Sequence, residues 1–396
     1  MSKTRTAIPT DRTDVYSPDA ILDPYPHYAR LRRLGPVVWL SRHRIHALPR
    51  YAECKQTLRD DESFVSTGGV ALNPISNRMS RGTTLASDGA EHTARRKLLA
   101  HRLLPRALRS IGDTVDEQAA AIVDAAVRRG TVDGVADLAT ALPSAIVPDL
   151  VGWPRDGREH LIDWGGATFD VLGPLNRQAV GAVPGTVAML RFARRVIRDR
   201  TVLDGSMAHE LLCAADAGTL SHDELPALMV DYIAPSLDTT ISAISTALYL
   251  FGTHPDQWQM LRDDPSLIPN AINEVIRYES PLRAFGRRVA RDTEIGGATL
   301  PAGSRVLVLY ASANRDELEW SAPDVFDIRR DAGRHLGFGN GAHACAGQGL
   351  ARLETTAMLT ALLHRVDRIE VTGPPTWAMN NVIRRHERLP LRLVAG

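Results

Sequence analysis

The sequence predicts a mainly α protein with small β-sheets. Two observations lead there. Stretches rich in Ala, Leu and Arg repeat at helical spacing from Glu91 onward, and strand-like runs are few, short and punctuated by Gly and Pro. A third observation sets the size: 396 residues, 44% of them hydrophobic, exceed what one ordinary core needs, yet no sharp linker divides them. The expected organisation is a polar leader over residues 1–20 followed, over 21–396, by two domains or one unusually large one.

After the leader, PYPHYARLRRLG reads as a short helix, and PVVWLSRHRIHALPRY alternates as two paired strands. Helices follow in EHTARRKLLAHRLL, TVDEQAAAIVDAAVRR and PGTVAMLRFARRVIRDR, then in SHDELPALMV running into ISAISTALYLFG. Strands return in TEIGGATLPAGSRVLVLY and RLPLRLVAG. Residues 66–84 and 171–185 fit neither period; segments of this kind serve as lids or binding loops, or are plain surface irregularity.

Charges nearly cancel, at 47 Lys and Arg against 46 Asp and Glu, so nucleic acid is not an expected partner. Cys54, Cys213 and Cys345 are an odd, widely spaced set, which argues against a disulfide framework and for a reducing compartment. MSKTRTAIPTDR lacks the apolar region of a signal peptide, and no eighteen consecutive apolar residues occur. A cytoplasmic, unanchored protein with no membrane partner is expected.

FGNGAHACAG, residues 338–347, sets Cys345 among glycines at 339, 341 and 347, just before the helical stretch AGQGLARLETTAMLTALL. Glycines let the backbone approach a flat object closely, and a helix N-terminus favours thiolate over thiol. This setting suits a metal ligand or nucleophile. A thiolate nucleophile needs a histidine base, and His343, two residues away in a tight loop, is poorly placed for one. Structural zinc needs four ligands, and Cys54 and Cys213 form no CxxC pairs. Haem needs only one thiolate.

At every fixed position FGNGAHACAG resembles the haem-ligand loop of the cytochrome P-450 superfamily, F-G-x-G-x-H-x-C-x-G. The resemblance implies one large P-450 fold, with haem b buried between a long distal helix and the proximal cysteine loop and helix. It implies Cys345 as iron ligand, with Phe338 and Gly339 against the cofactor. EHTARRK resembles the family's H-T-R-x-R-R helix, with Ala94 where arginine is common. His92 and Arg96, at i and i+4 on one helical face, are thereby implied as propionate partners, and His343 and Arg287 as two more. NEVIRYESP matches the family's E-x-x-R helix: Glu274 and Arg277, joined by Arg330 from FDIRR, are implied as a structural ion-pair cluster. In ASANRDELEW, Glu317 replaces a common proline.

MVDYIAPSLDTTISAISTALYL is apolar enough to cross the interior, yet holds Pro235, Ser236, Asp238, Thr239 and Thr240. Pro235 removes an amide donor and clashes with the carbonyl of Asp231, so the helix should kink and open a polar notch. An alcohol and an acid beside such a notch can deliver protons to bound oxygen. The segment resembles the family's A/G-G-x-D/E-T-T oxygen-binding helix, which implies Thr239 and Asp238 as the catalytic pair. Pro235 and Ser236 depart from that pattern.

GREHLIDWGGATFDVLGPLN and RRHERLPLRL look most similar to members that O-demethylate para-substituted aromatic compounds. By position, substrate contacts are expected from Phe169, Leu172, Ile233, Leu237, Phe285 and Val382. Benzoate-binding members place cationic and hydroxyl groups where Val230 and Asp231 stand here, so neutral phenols or aryl ethers fit better, with Arg78 or Arg81 as alternative cations. No Gly-rich nucleotide fingerprint is present, which implies a ferredoxin and a separate NAD(P)H-dependent reductase. Arg95, Arg96, Lys97, Arg102, Arg106 and Arg109 form a run without an acid that could dock such a ferredoxin, or simply a solvated basic face. The expected activity is oxygen-dependent monooxygenation of a small aromatic substrate. Its rivals are a peroxide-driven haem-thiolate oxygenase, a non-catalytic haem-based carrier or sensor, and a zinc-thiolate interaction module.

Overall fold

Helices bury one large apolar core, and a sheet builds two smaller ones beside it. The computed structural model describes residues 7–233 and 235–396, apart from the side chain of His101. The helix Gly112–Arg129 shows why the helical core forms: Val115, Ala119, Val123 and Ala126 recur at helical spacing and are fully buried. It packs on Gln348–Leu363, the helix that follows the cysteine loop.

The main sheet runs in the order Thr10–Asp11, Val38–Leu40, Ile45–Leu48, Arg305–Val308, Phe285–Val289, Phe64–Val65. The two strands expected after the leader pair antiparallel, with Trp39 opposite His46. The expected leader is itself partly structured: Thr10–Asp11 pairs with Val38–Leu40, and Val15, Tyr16 and Ala20 are buried, while residues 1–6 lie outside the described residues. Gly286 permits a close crossing, since a Cβ there would sit 2.3 Å from Gly69 O. The strand expected near the C-terminus, Pro390–Ala395, lies between Val366–Val371 and Thr131–Asp133 in a three-stranded sheet.

Three expected elements are corrected. The helix expected over EHTARRKLLAHRLL ends at Ala100 and passes through a tight turn into the separate helix Pro105–Arg109. The helix through Pro235 breaks into Leu225–Ile233 and Asp238–Thr253. Side chains take up carbonyls freed at the break: Ser236 Oγ donates to Tyr232 O, and Thr239 Oγ1 donates to Pro235 O at 3.1 Å. The two unassigned segments each contain a short helix, Pro74–Met79 and Arg177–Gly181, whose N-caps are the side chains of Asn73 and Asn176.

Candidate active site

The helix break and the cysteine loop border one largely apolar cavity of about 520 Å³. The short helices Pro74–Met79 and Arg177–Gly181 stand at its mouth, where Ile75, Met79, Leu175, Val180 and Val183 are both exposed and part of the cavity lining. An apolar rim of this kind admits an apolar guest.

Cys345 lies on the cavity wall. Its N–H donates to Phe338 O at 2.8 Å, closing the loop around a tight Gly341–His343 turn. Gly339 and Gly341 have φ of +71° and +72°, and a Cβ on Gly341 would lie 2.1 Å from Leu58 O, so glycine is required there. Burial pushes the Cys345 thiol up; the N–H groups of Gly347 and Gln348 and the Arg96 guanidinium pull the other way. The helix-terminal amides therefore favour the thiolate, as expected, but burial outweighs them. A cation facing the sulfur is the remaining requirement.

The other expected cofactor residues gather on the same cavity: His92, Arg96, Arg287, His343, Phe338 and Gly339 all line it. The His92 and His343 rings are 4.1 Å apart. His343 Nε2 lies 3.2 Å from Ser66 Oγ and 3.5 Å from Asp88 Oδ1, whereas His92 Nε2 is buried without a partner among the described residues. Burial, with His343 and Arg96 nearby, pushes His92 down to about 4, so it stands neutral at neutral pH. Arg96 and Arg287 form no ion pair among the described residues. An orphaned imidazole nitrogen, two guanidinium groups without an ion-pair partner among the described residues and a sulfur around an apolar space fit a flat apolar macrocycle bearing anionic arms, as haem is.

On the opposite side of the chemistry, Thr239 lines the cavity and Asp238 does not. Asp238 is fully buried behind the break, where Arg385 Nε lies 3.2 Å from Oδ1. The guanidinium N–H does not point along that line, so both carboxylate oxygens lack a directed hydrogen bond. Burial pushes Asp238 up to about 6, opposed by Arg385 and reinforced by Asp163.

Of the expected substrate contacts, Phe169, Leu172 and Phe285 line the cavity. Ile233 and Leu237 do not; the break turns both into the helical core. Val382 packs in the sheet-side core instead. Arg78 and Arg81 are exposed and supply no cavity cation. Thr84, Ala243 and Asp231 line the cavity without having been expected as contacts. For Asp231 a signal was present, an acid inside the apolar run MVDYI.

Glu274 and Arg277 form a fully buried two-pronged pair at 2.6 and 2.8 Å, and Arg330 Nε reaches Glu274 at 3.2 Å. Arg277 also donates to Asn314 O and Pro323 O, binding the chain that leads to the cysteine loop. Glu317 pairs with Arg32 at 2.7 Å. The basic run does find acids: Arg95 pairs with Glu91 one helical turn before it and with Glu224 from elsewhere in the chain, and Arg102 with Glu210. Lys97, Arg106 and Arg109 remain exposed.

A model of the cytochrome P450 family matches residues 264–377. Cytochrome p450 CYP199A2 of Rhodopseudomonas palustris is 35% identical over 384 residues, covering 96% of this chain and 93% of that protein. Beta-dihydromenaquinone-9 omega-hydroxylase of Mycobacterium tuberculosis is 32% identical over 400 residues, covering 95% and 77% respectively. The solved structure of Mycobacterium marinum cytochrome P450 CYP268A2 in complex with pseudoionone has a TM-score of 0.88 at 27% identity, covering 98% of this chain and 100% of that one. Likeness of this extent, on a cavity whose residues fit the cofactor, establishes that the chain belongs to the cytochrome P450 family of haem b monooxygenases.

Proposed function

We propose that this haem-thiolate monooxygenase uses Cys345 as iron ligand, and dioxygen with two electrons to hydroxylate or O-dealkylate a small aromatic substrate. The observation that carries the reading is one apolar cavity shared by the Cys345 sulfur and the Thr239 hydroxyl. Bound haem supplies oxygen activation at its iron. His92, neutral, would donate from Nε2 to a propionate, and Arg96, Arg287 and His343 would hold the remaining propionate charge.

Thr239 Oγ1 donates to Pro235 O at rest and turns to donate into the cavity when a hydrogen-bond acceptor is present there. Asp238 holds the replacement proton behind it, and Arg385, 21% exposed, connects that carboxyl to solvent. Phe169, Leu172 and Phe285 supply flat apolar walls for an aromatic ring. Hydroxylation at an ether methyl gives a hemiacetal, which splits into a phenol and formaldehyde. Lys97, Arg106 and Arg109 form the docking face for an acidic ferredoxin, reduced by a separate NAD(P)H-dependent enzyme.

Turnover of para-methoxy aromatic compounds with ferredoxin, reductase and NADH tests the reading. Formaldehyde released in step with NADH supports it; product formed only when hydrogen peroxide is added contradicts the dioxygen route.

A further inference from the structure

The cavity wall carries one acid that the proposed chemistry does not use. Asp231, in the helix Leu225–Ile233, lines the cavity. Its Oδ2 accepts the Thr84 N–H at 2.6 Å. Among the described residues, Thr84 alone hydrogen-bonds its carboxylate. The neighbouring cation, Arg95, is engaged by Glu91 at 2.7 Å and Glu224 at 2.9 Å, and Asp231 makes no ion pair among the described residues.

An enclosed carboxyl without a counter-cation is unfavourable, and holding the Thr84 N–H does not require one, since a neutral amide oxygen can accept it too. A carboxylate on the wall of the space a guest fills, with no cation paired to it among the described residues, is the part left unexplained. Oxygen activation takes place at the other end of the helix break. Asp231 and Thr239 lie on either side of that break and line the same cavity, so one ligand can meet both.

We propose that Asp231 is a specificity-determining residue that receives the ammonium end of an aromatic amine substrate, holding the opposite end of the molecule toward the site of oxidation. The carboxylate disfavours anionic ligands of the same shape by like-charge repulsion. This assignment rests on the haem-thiolate reading, because it places the oxidised carbon by reference to that site.

The test is a spectral titration of the purified, haem-loaded protein with three ligands of matched shape: 4-methoxyphenethylamine, 4-propylanisole and 3-(4-methoxyphenyl)propanoate. The amine is expected to convert ferric iron from low to high spin and to bind about tenfold more tightly than 4-propylanisole, with the carboxylate weakest. Asp231→Asn keeps the Thr84 acceptor and should abolish the amine preference while binding 4-propylanisole as before. If that variant does not incorporate haem, the ranking of the three ligands by the unaltered protein decides. A nitrogen-ligated low-spin spectrum with the amine, no preference for it over 4-propylanisole, or tightest binding of the carboxylate would overturn the assignment. Protein whose reduced, carbon-monoxide-bound form lacks the thiolate Soret band would overturn the haem-thiolate reading, and this assignment with it. Protein that shows the band without the amine preference overturns this assignment alone.

Discussion

Arg385 Nε stands 3.2 Å from Asp238 Oδ1, tying the C-terminal hairpin to the first turn of the helix behind Thr239. One partner is wholly enclosed and the other is 21% exposed, so the pair spans the boundary between interior and solvent. Arg385 holds Asp238 lower than burial alone would.

Arg385→Ala should therefore raise Asp238 further. With protonated Asp238 as the proposed proton donor, coupling of NADH use to product should fall as pH rises through about 6. Without Arg385 the fall should move to higher pH. Product per NADH measured from pH 5 to 9 checks this, and a profile identical to that of the unaltered protein would contradict it.

Asp238 also makes a stability prediction with a definite sign. Its folded-state value of about 6 lies above the ordinary 3.8, so the folded state retains a proton that the unfolded chain releases. Stability falls as pH rises between those values, and the penalty, on the order of 3 kcal/mol at most, is fully present above them. Asp238→Asn should raise Tm at pH 7 and leave it nearly unchanged at pH 4, even as turnover declines. Calorimetry at both pH values reads the difference.

Glu274→Ala leaves Arg277 buried without its carboxylate and deprives Arg330 of the same partner. Loss of one member of a buried pair costs about 3–5 kcal/mol. The variant should accumulate as insoluble or haem-free protein, read as the ratio of Soret to protein absorbance. Replacing Glu274 and Arg277 together by Met should recover part of the loss, because no charge is then stranded.

Thr239→Ala removes the hydroxyl on the cavity side of the break but none of the groups around Cys345. Haem content and substrate-induced spin change should persist, while reducing equivalents divert to peroxide. Unchanged product per NADH would show that Thr239 has no part in proton delivery.

What could be read from the chain depended on how far apart the partners lie. His92 with Arg96 and Glu274 with Arg277 share one helical face at short spacing, so local periodicity exposes them. The glycines around Cys345 report their backbone requirement directly. Asp238 and Arg385 meet only through tertiary folding, and Glu224 and Glu210 reach Arg95 and Arg102 from beyond any local window, whereas Glu91 lies one helical turn before Arg95. Ile233 and Leu237 were misplaced because a continuous, kinked helix keeps its period, whereas the break resets it and turns both into the core. Asp231 was noticed as the carbonyl beneath Pro235, but its side-chain bond to Thr84 needs the 66–84 segment folded over the cavity.

The most direct measurement is the absorption spectrum of the reduced, carbon-monoxide-bound protein beside its Cys345→Ala variant. Haem ligated by Cys345 predicts the red-shifted Soret band of thiolate coordination in the first and its loss in the second. An unshifted band, purified protein without porphyrin, or a variant that keeps the thiolate band would contradict the account.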